Sequence, residues 1–121
     1  LYAAVKKFFA LQDEAKKRYE RTDLAGQRGY IGKGKEHAKG RNTGDLKEFY
    51  HVGQELAAAE LTTEGYPANV WPDEVPEFKA AAVEAYQALE KTGTYMLRAI
   101  ALYLGLDEHY FDKKILHGNS I

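Results

Sequence analysis

The longest regular pattern in the chain runs from Pro76 to Leu104, and it limits the possible folds more than any other feature. From Phe78 through Ala82, Tyr86, Leu89, Met96 and Ile100 to Leu104, apolar residues recur at helical spacing on one face. Asp73 is the expected N-cap, Pro76 suits a first turn where a missing N–H costs little, and Gly105 is a natural stop. At 1.5 Å per residue the 76–104 helix would be a rod of roughly 43 Å. A compact globule of 121 residues has a diameter of roughly 35 Å. A rod longer than the body it lies on needs a surface from elsewhere, either further polypeptide or a second chain, and oligomeric state stays open between them.

The remainder reads as short elements. Leu1 to Glu20 has helical spacing at Leu1, Val5, Phe8, Phe9 and Gln12, with a second short helix starting near Asp13, where acids precede bases. The stretch 26–44 is rich in glycine, interleaved with Arg28, Lys33, Lys35, Lys39 and Arg41, and predicts a basic loop. Asp45 to Gly53 alternates and predicts a strand. Leu56 to Leu61 could form one helical turn before Pro67. Trp71 is expected to anchor the entry to the long helix. Past Gly105, Asp107 to Phe111 predicts a short helix with Tyr110 and Phe111 turned inward, and 117–121 reads as the start of a strand. The expected class is mainly α with a short β segment.

Several chemistries are disfavoured by the residues themselves. Gly29 to Lys35 fits G-x-x-x-x-G-K, but the position that must hold magnesium is Glu36 rather than Ser or Thr, so a nucleotide-binding module using this loop ranks last. His37, His51, His109 and His117 are far apart and form no H-x-D, H-x-x-x-H or H-E-x-x-H, so no metal site is expected within the chain. Acidic pairs such as Asp13-Glu14 and Asp107-Glu108 sit where helix dipoles favour them. With no cysteine there is neither a thiol nucleophile nor a disulfide, which suits a cytoplasmic protein. A formal charge of −1 argues against nucleic-acid or anionic-membrane partners. No apolar run reaches the roughly 18 residues that span a bilayer.

Five short patterns occur in one order: Val5 to Leu11 with Glu14-Ala15-Lys16-Lys17, Gln27-Arg28-Gly29-Tyr30 with Gly34-Lys35-Glu36, Asp45 to Gly53, Asn69 to Asp73, and Arg98 to Leu102. Together they resemble the N-terminal region of the isopenicillin N synthase-like family of non-haem Fe(II), 2-oxoglutarate-dependent dioxygenases. The resemblance implies that residues 1–121 are a helical N-terminal dioxygenase region that packs on a double-stranded β-helix, or jelly-roll, core absent from this chain. A preceding strand and helix would also be missing. The core would carry the H-x-D motif, the distant His and the R-x-S pair, none of which matches any position here.

By the same resemblance the intact protein would oxidise a small organic substrate with decarboxylation of 2-oxoglutarate to succinate. The isolated chain would bind neither Fe(II) nor 2-oxoglutarate and would have no catalytic residue of its own. Its partners would be the missing core of the same protein and the small-molecule substrate. The R-G-Y loop makes Arg28 and Tyr30 the substrate-proximal candidates, an Arg to clamp a carboxylate and a Tyr to orient it. Asn119 and Ser120 would approach from the first core strand. Penicillin-forming members carry R-A-G-Y-Y, which puts Gln27 and Ile31 where they have Arg and Tyr, against the tripeptide substrate of those members. The competing expectation is a stand-alone α-helical protein-interaction domain that docks through the face from Phe78 to Leu104.

Overall fold

A computed structural model describes residues 1–37, 39–40, 43–57 and 66–115. Among these residues three α-helices, α1 (Tyr2–Phe9), α2 (Asp13–Lys17) and α3 (Glu77–Tyr103), accompany one two-stranded sheet, with a 3-10 turn at Thr22–Leu24. Strands β1 (Gly29–Ile31) and β2 (Phe49–His51) pair antiparallel, with Tyr30 opposite Tyr50. The class is mainly α with a short β segment.

The Leu1–Glu20 stretch divides into α1 and α2, the second starting at Asp13 as expected. Phe8 is the centre of the core and is fully buried. Its ring meets those of Phe9, Tyr30, Tyr50 and Phe78 at 5.3, 5.8, 4.9 and 5.7 Å. Aromatic rings at these separations add edge-on attraction to the area they bury. Ala4 and Phe8, one turn apart, are the buried residues of α1. The small side chain lets the helix approach while the large one fills the centre. Leu1, expected on the same inward stripe, is instead exposed.

Helix α3 starts without a side-chain cap. Asp73, the expected N-cap, instead donates its backbone N–H to the Tyr19 hydroxyl at 2.9 Å. The helix stops as expected at Gly105, whose φ is +69°. There Leu106 donates to the Ala101 carbonyl at 2.9 Å and Gly105 to that of Leu102 at 3.1 Å, the paired bonds of a Schellman ending. At 27 residues the helix is about 40 Å long. Its first half buries Phe78, Ala82 and Tyr86, whereas Leu89, Met96, Ile100, Tyr103 and Leu104 stay exposed, Tyr103 at 90%.

Two expectations are corrected. Strand β1 lies inside the stretch read as a 26–44 loop, and the chain from Gly34 to His37 pairs with Gly44 and Asp45. Gly34 donates to the Asp45 carbonyl and Asp45 to that of Glu36, each at 2.7 Å, with a bridge between His37 and Gly44. Glycine tolerance of positive φ permits the turns, and tertiary pairing overrides the weak strand propensity. Residues 107–111 form successive turns rather than a helix, and Tyr110 is 46% exposed rather than inward. The helical turn expected at Leu56 to Leu61 lies largely outside the described residues, and the strand start at 117–121 wholly so.

Candidate functional site

Arg28 stands in the bend just before β1 and Tyr30 within the strand. Gly29 between them is what lets the strand lie here. Its φ is +80°, and a Cβ at that position would sit 2.3 Å from the Tyr19 carbonyl oxygen. That carbonyl accepts the Tyr30 N–H at 3.0 Å. Only a residue without a side chain allows so close a backbone approach.

Both side chains turn into the body of the chain. Arg28 is 3% exposed. Its Nη1 donates to the Gln27 carbonyl at 2.7 Å, and the guanidinium lies 4.7 Å from the centre of the Tyr66 ring. It fills the space a Cβ on Gly53 would need, since that atom would lie 2.2 Å from Nη2. Arg28 Nε has no hydrogen-bond acceptor among the described residues. Stacking on an aromatic face and a backbone acceptor stand in for an ion pair.

Tyr30 is 5% exposed and donates its hydroxyl to Glu48 Oε2 at 2.5 Å. The same carboxylate accepts from Lys16 Nζ at 2.8 Å, and Lys16 lies 5.6 Å from the centre of the Tyr30 ring. Burial first, and the hydrogen bond to Glu48 second, push the phenol up to about 12. A phenol so held is a hydrogen-bond donor at neutral pH and no general base. Glu48 is itself held below the ordinary carboxylate range. Burial pushes it upward, but the hydrogen bonds from Lys16 and Tyr30 outweigh that. Sequence reasoning passed over Lys16 and Glu48, since each is one charge among several in a polar run. Alternation from Tyr50 could have placed Glu48 on the same face as that buried ring.

A cleft of about 250 Å³ opens beside β1, lined by Tyr30 itself together with Glu20, Arg21, Gly26, Ile31 and Lys35, among others. A second node joins β2 to the entry of α3. Asn69 Oδ1 accepts the Gly53 N–H at 2.8 Å while its Nδ2 donates to the Gly53 carbonyl at 2.9 Å. One side chain thus pairs with Gly53 as a neighbouring strand would. Trp71 is half-buried against the core beside it, with Lys79 Nζ 5.7 Å from its ring centre, as expected of an anchor.

The histidines serve local geometry. His51 Nδ1 bonds to the Gly26 carbonyl at 2.6 Å, and His109 Nδ1 to Asp112 at 2.8 Å. Among the described residues no group of three or more His, Cys, Asp or Glu could hold a metal ion. The side chains of the described residues therefore do not fit an iron centre. Asn119 and Ser120 lie outside the described residues. Also among the described residues, no helix is long and apolar enough to cross a membrane.

Comparison with known proteins supplies the wider context. A family described as "non-haem dioxygenase in morphine synthesis N-terminal" matches residues 1–74. The 2-oxoglutarate-dependent dioxygenase traH of Penicillium crustosum is 32% identical over 111 residues, covering 87% of this chain and 34% of that protein. A 2OG-Fe(II) oxygenase family protein of Caulobacter crescentus superposes with a TM-score of 0.84 at 41% identity, over 98% of this chain and 38% of that one. A full-length Neurospora crassa protein, solved in complex with alpha-KG, gives a TM-score of 0.65 at 28% identity, over 92% and 30%. The chain spans about a third of the length of the curated relatives it matches. On its family match, and on the agreement of fold along nearly its whole length, this chain belongs to the N-terminal family of the non-haem, 2-oxoglutarate-dependent dioxygenases.

Proposed function

We propose that the intact protein is a non-haem Fe(II), 2-oxoglutarate-dependent oxygenase that oxidises a small organic substrate while 2-oxoglutarate is decarboxylated to succinate. Residues 1–121 supply scaffold to it. The iron and cosubstrate ligands belong to a jelly-roll core outside this segment, and the segment alone is inert. The single observation that carries this is the superposition of 98% of the chain on 38% of a 2OG-Fe(II) oxygenase family protein at a TM-score of 0.84. A second physical feature agrees with it. The second half of α3 leaves Leu89, Met96, Ile100 and Leu104 exposed on one stripe, a pattern that in water calls for a covering surface.

In this scheme Arg28 and Tyr30 belong to the strand nearest the substrate. Arg28 Nη1 on the Gln27 carbonyl and the Tyr30 hydroxyl on Glu48 fix that strand, and through it Tyr30 is held at the wall of the cleft. Asn119 and Ser120 would reach the pocket from the core side. The test is turnover by the intact protein with Fe(II), ascorbate and 1-¹⁴C-labelled 2-oxoglutarate. Release of labelled CO₂, together with binding of Fe(II) or Mn(II) and 2-oxoglutarate by calorimetry, is expected. An intact protein that binds neither, or a 121-residue chain that binds both tightly, refutes the proposal.

A further inference from the structure

The cleft beside β1 holds a carboxylate with acceptor capacity left over. A bridge to Gly29 fixes the backbone of Glu20 at this edge, and its side chain is only 18% exposed. Its salt-bridge partner among the described residues, Lys35 Nζ, lies 3.7 Å from Oε2, beyond hydrogen-bond reach. Glu48, equally exposed, accepts from Lys16 at 2.8 Å. An ionised carboxylate withdrawn from water in this way favours a donor brought to it. The other charges at the cleft are closed off or free to leave. Arg21 forks onto Asp23 at 2.8 and 2.7 Å, and Glu36 holds Lys47 at 3.2 Å. Lys35 is 57% exposed and can turn to solvent.

Gly32 completes the site. A Cβ there would lie 3.0 Å from Glu20 Oε1 and 3.6 Å from the Tyr30 hydroxyl, so both oxygens border the space a side chain would fill. The Tyr30 hydroxyl donates its proton to Glu48 and keeps lone pairs with which to accept. Two acceptors, one of them anionic, are complemented by a cation with several N–H groups. Ile31 and Ala25 supply apolar wall in the same cleft. Its volume of about 250 Å³ falls below the roughly 300 Å³ at which pockets for drug-sized ligands begin, so the ligand is small. We propose that this cleft receives the primary ammonium group of a small organic amine, which donates to Glu20 and to the Tyr30 hydroxyl while its hydrocarbon part lies against Ile31 and Ala25. The inference rests on the oxygenase reading for one thing, that the amine is the substrate. A carboxylate in the same place would be repelled by Glu20.

Titration of the ¹⁵N-labelled intact protein with benzylammonium chloride, benzyl alcohol and benzoate, probes of one shape and different charge, decides the matter. Benzylammonium is expected to shift the Ile31 and Gly32 amides with an affinity at least about tenfold above that of benzyl alcohol, and benzoate to leave them in place. Glu20→Gln keeps the shape of the side chain and removes its charge, so the preference should vanish. Gly32→Ala fills the space between the two oxygens and should weaken benzylammonium by at least about tenfold. A preference for benzoate, equal binding of benzylammonium and benzyl alcohol, or a benzylammonium affinity that neither substitution lowers overturns the inference. Calorimetry with Mn(II) and 2-oxoglutarate separates it from the oxygenase reading. Selective benzylammonium binding by an intact protein that takes up neither would leave the amine site standing and remove that reading. A protein that takes up both and ignores benzylammonium would do the reverse.

Discussion

Replacing Glu48 with glutamine should destabilise the protein by about 3 kcal/mol, near the lower end of what breaking a buried ion pair costs. The structure sets that scale. The Lys16 side chain is 5% exposed and that of Glu48 18%, with 2.8 Å between Nζ and Oε2. Lys16 has one other anion, Asp13 at 3.1 Å, but that carboxylate is 72% exposed and water weakens its hold. Glutamine keeps an acceptor for Tyr30 and for Lys16, yet leaves the buried ammonium facing a neutral group. With an unfolding entropy of about 2.1 cal/mol/K per residue, 3 kcal/mol corresponds to a Tm lower by about 12 °C for a unit of this length.

The pH dependence has a definite sign. Lys16 is raised above 10.5, first by the Glu48 hydrogen bond, so its contribution is present below that value and lost as pH rises through the folded pKa. Glu48 is lowered below 4.5, so its contribution is present above that value and lost as pH falls through the folded pKa. The glutamine penalty should therefore be flat between these limits and shrink outside them. Urea denaturation of wild type, Glu48→Gln, Lys16→Met and the double variant measures it, and the double variant should recover at least about 1 kcal/mol of the summed losses. A penalty under about 1 kcal/mol, or strict additivity, would refute the assignment of this pair as a buried lock between α2 and the β2 entry.

Gly29→Ala should cost at least about 2 kcal/mol, from positive φ together with a Cβ against the Tyr19 carbonyl, whereas Gly93→Ala in α3, where a Cβ meets nothing within 4 Å, should gain up to about 1 kcal/mol. Thermal unfolding of the two variants side by side checks the sign reversal. Asn69→Ala should cost about 2 kcal/mol, because it strips the partners from both backbone groups of Gly53, and faster exchange of the Gly53 amide is the specific readout. Asp112, held at about 2 by hydrogen bonds from Arg98 first and His109 second, should support the turn after α3 above its ordinary 3.8. That support should be lost as pH falls toward 2. Carbon-detected titration of the carboxyl gives its pKa, and a value near 4 would break the assignment.

Much of the architecture was legible from spacing alone. The α3 stripe, its ending at Gly105 and the acids-first start of α2 are local regularities. Helix dipole, positive φ and a period of 3.6 act over a few residues and leave their mark in order along the chain. The family, too, was readable from five short patterns in sequence. Arg28 and Tyr30 could be picked out as a pair for the same reason, but not what their side chains meet.

The sequence by itself therefore determined α1, α2 and α3, where the long helix stops, and that its apolar stripe exceeds what the chain can bury. Tertiary structure alone decided that the basic glycine stretch holds a strand, that Arg28 faces Tyr66 and Gly53 instead of solvent, and that Lys16 and Glu48 share one hydrogen-bonded centre with Tyr30. Glu48 stands 18 residues from Tyr30 and 32 from Lys16 along the chain. Short-range propensity carries no record of such partners, and only the closing of the aromatic core around Phe8 brings them within a hydrogen bond of one another.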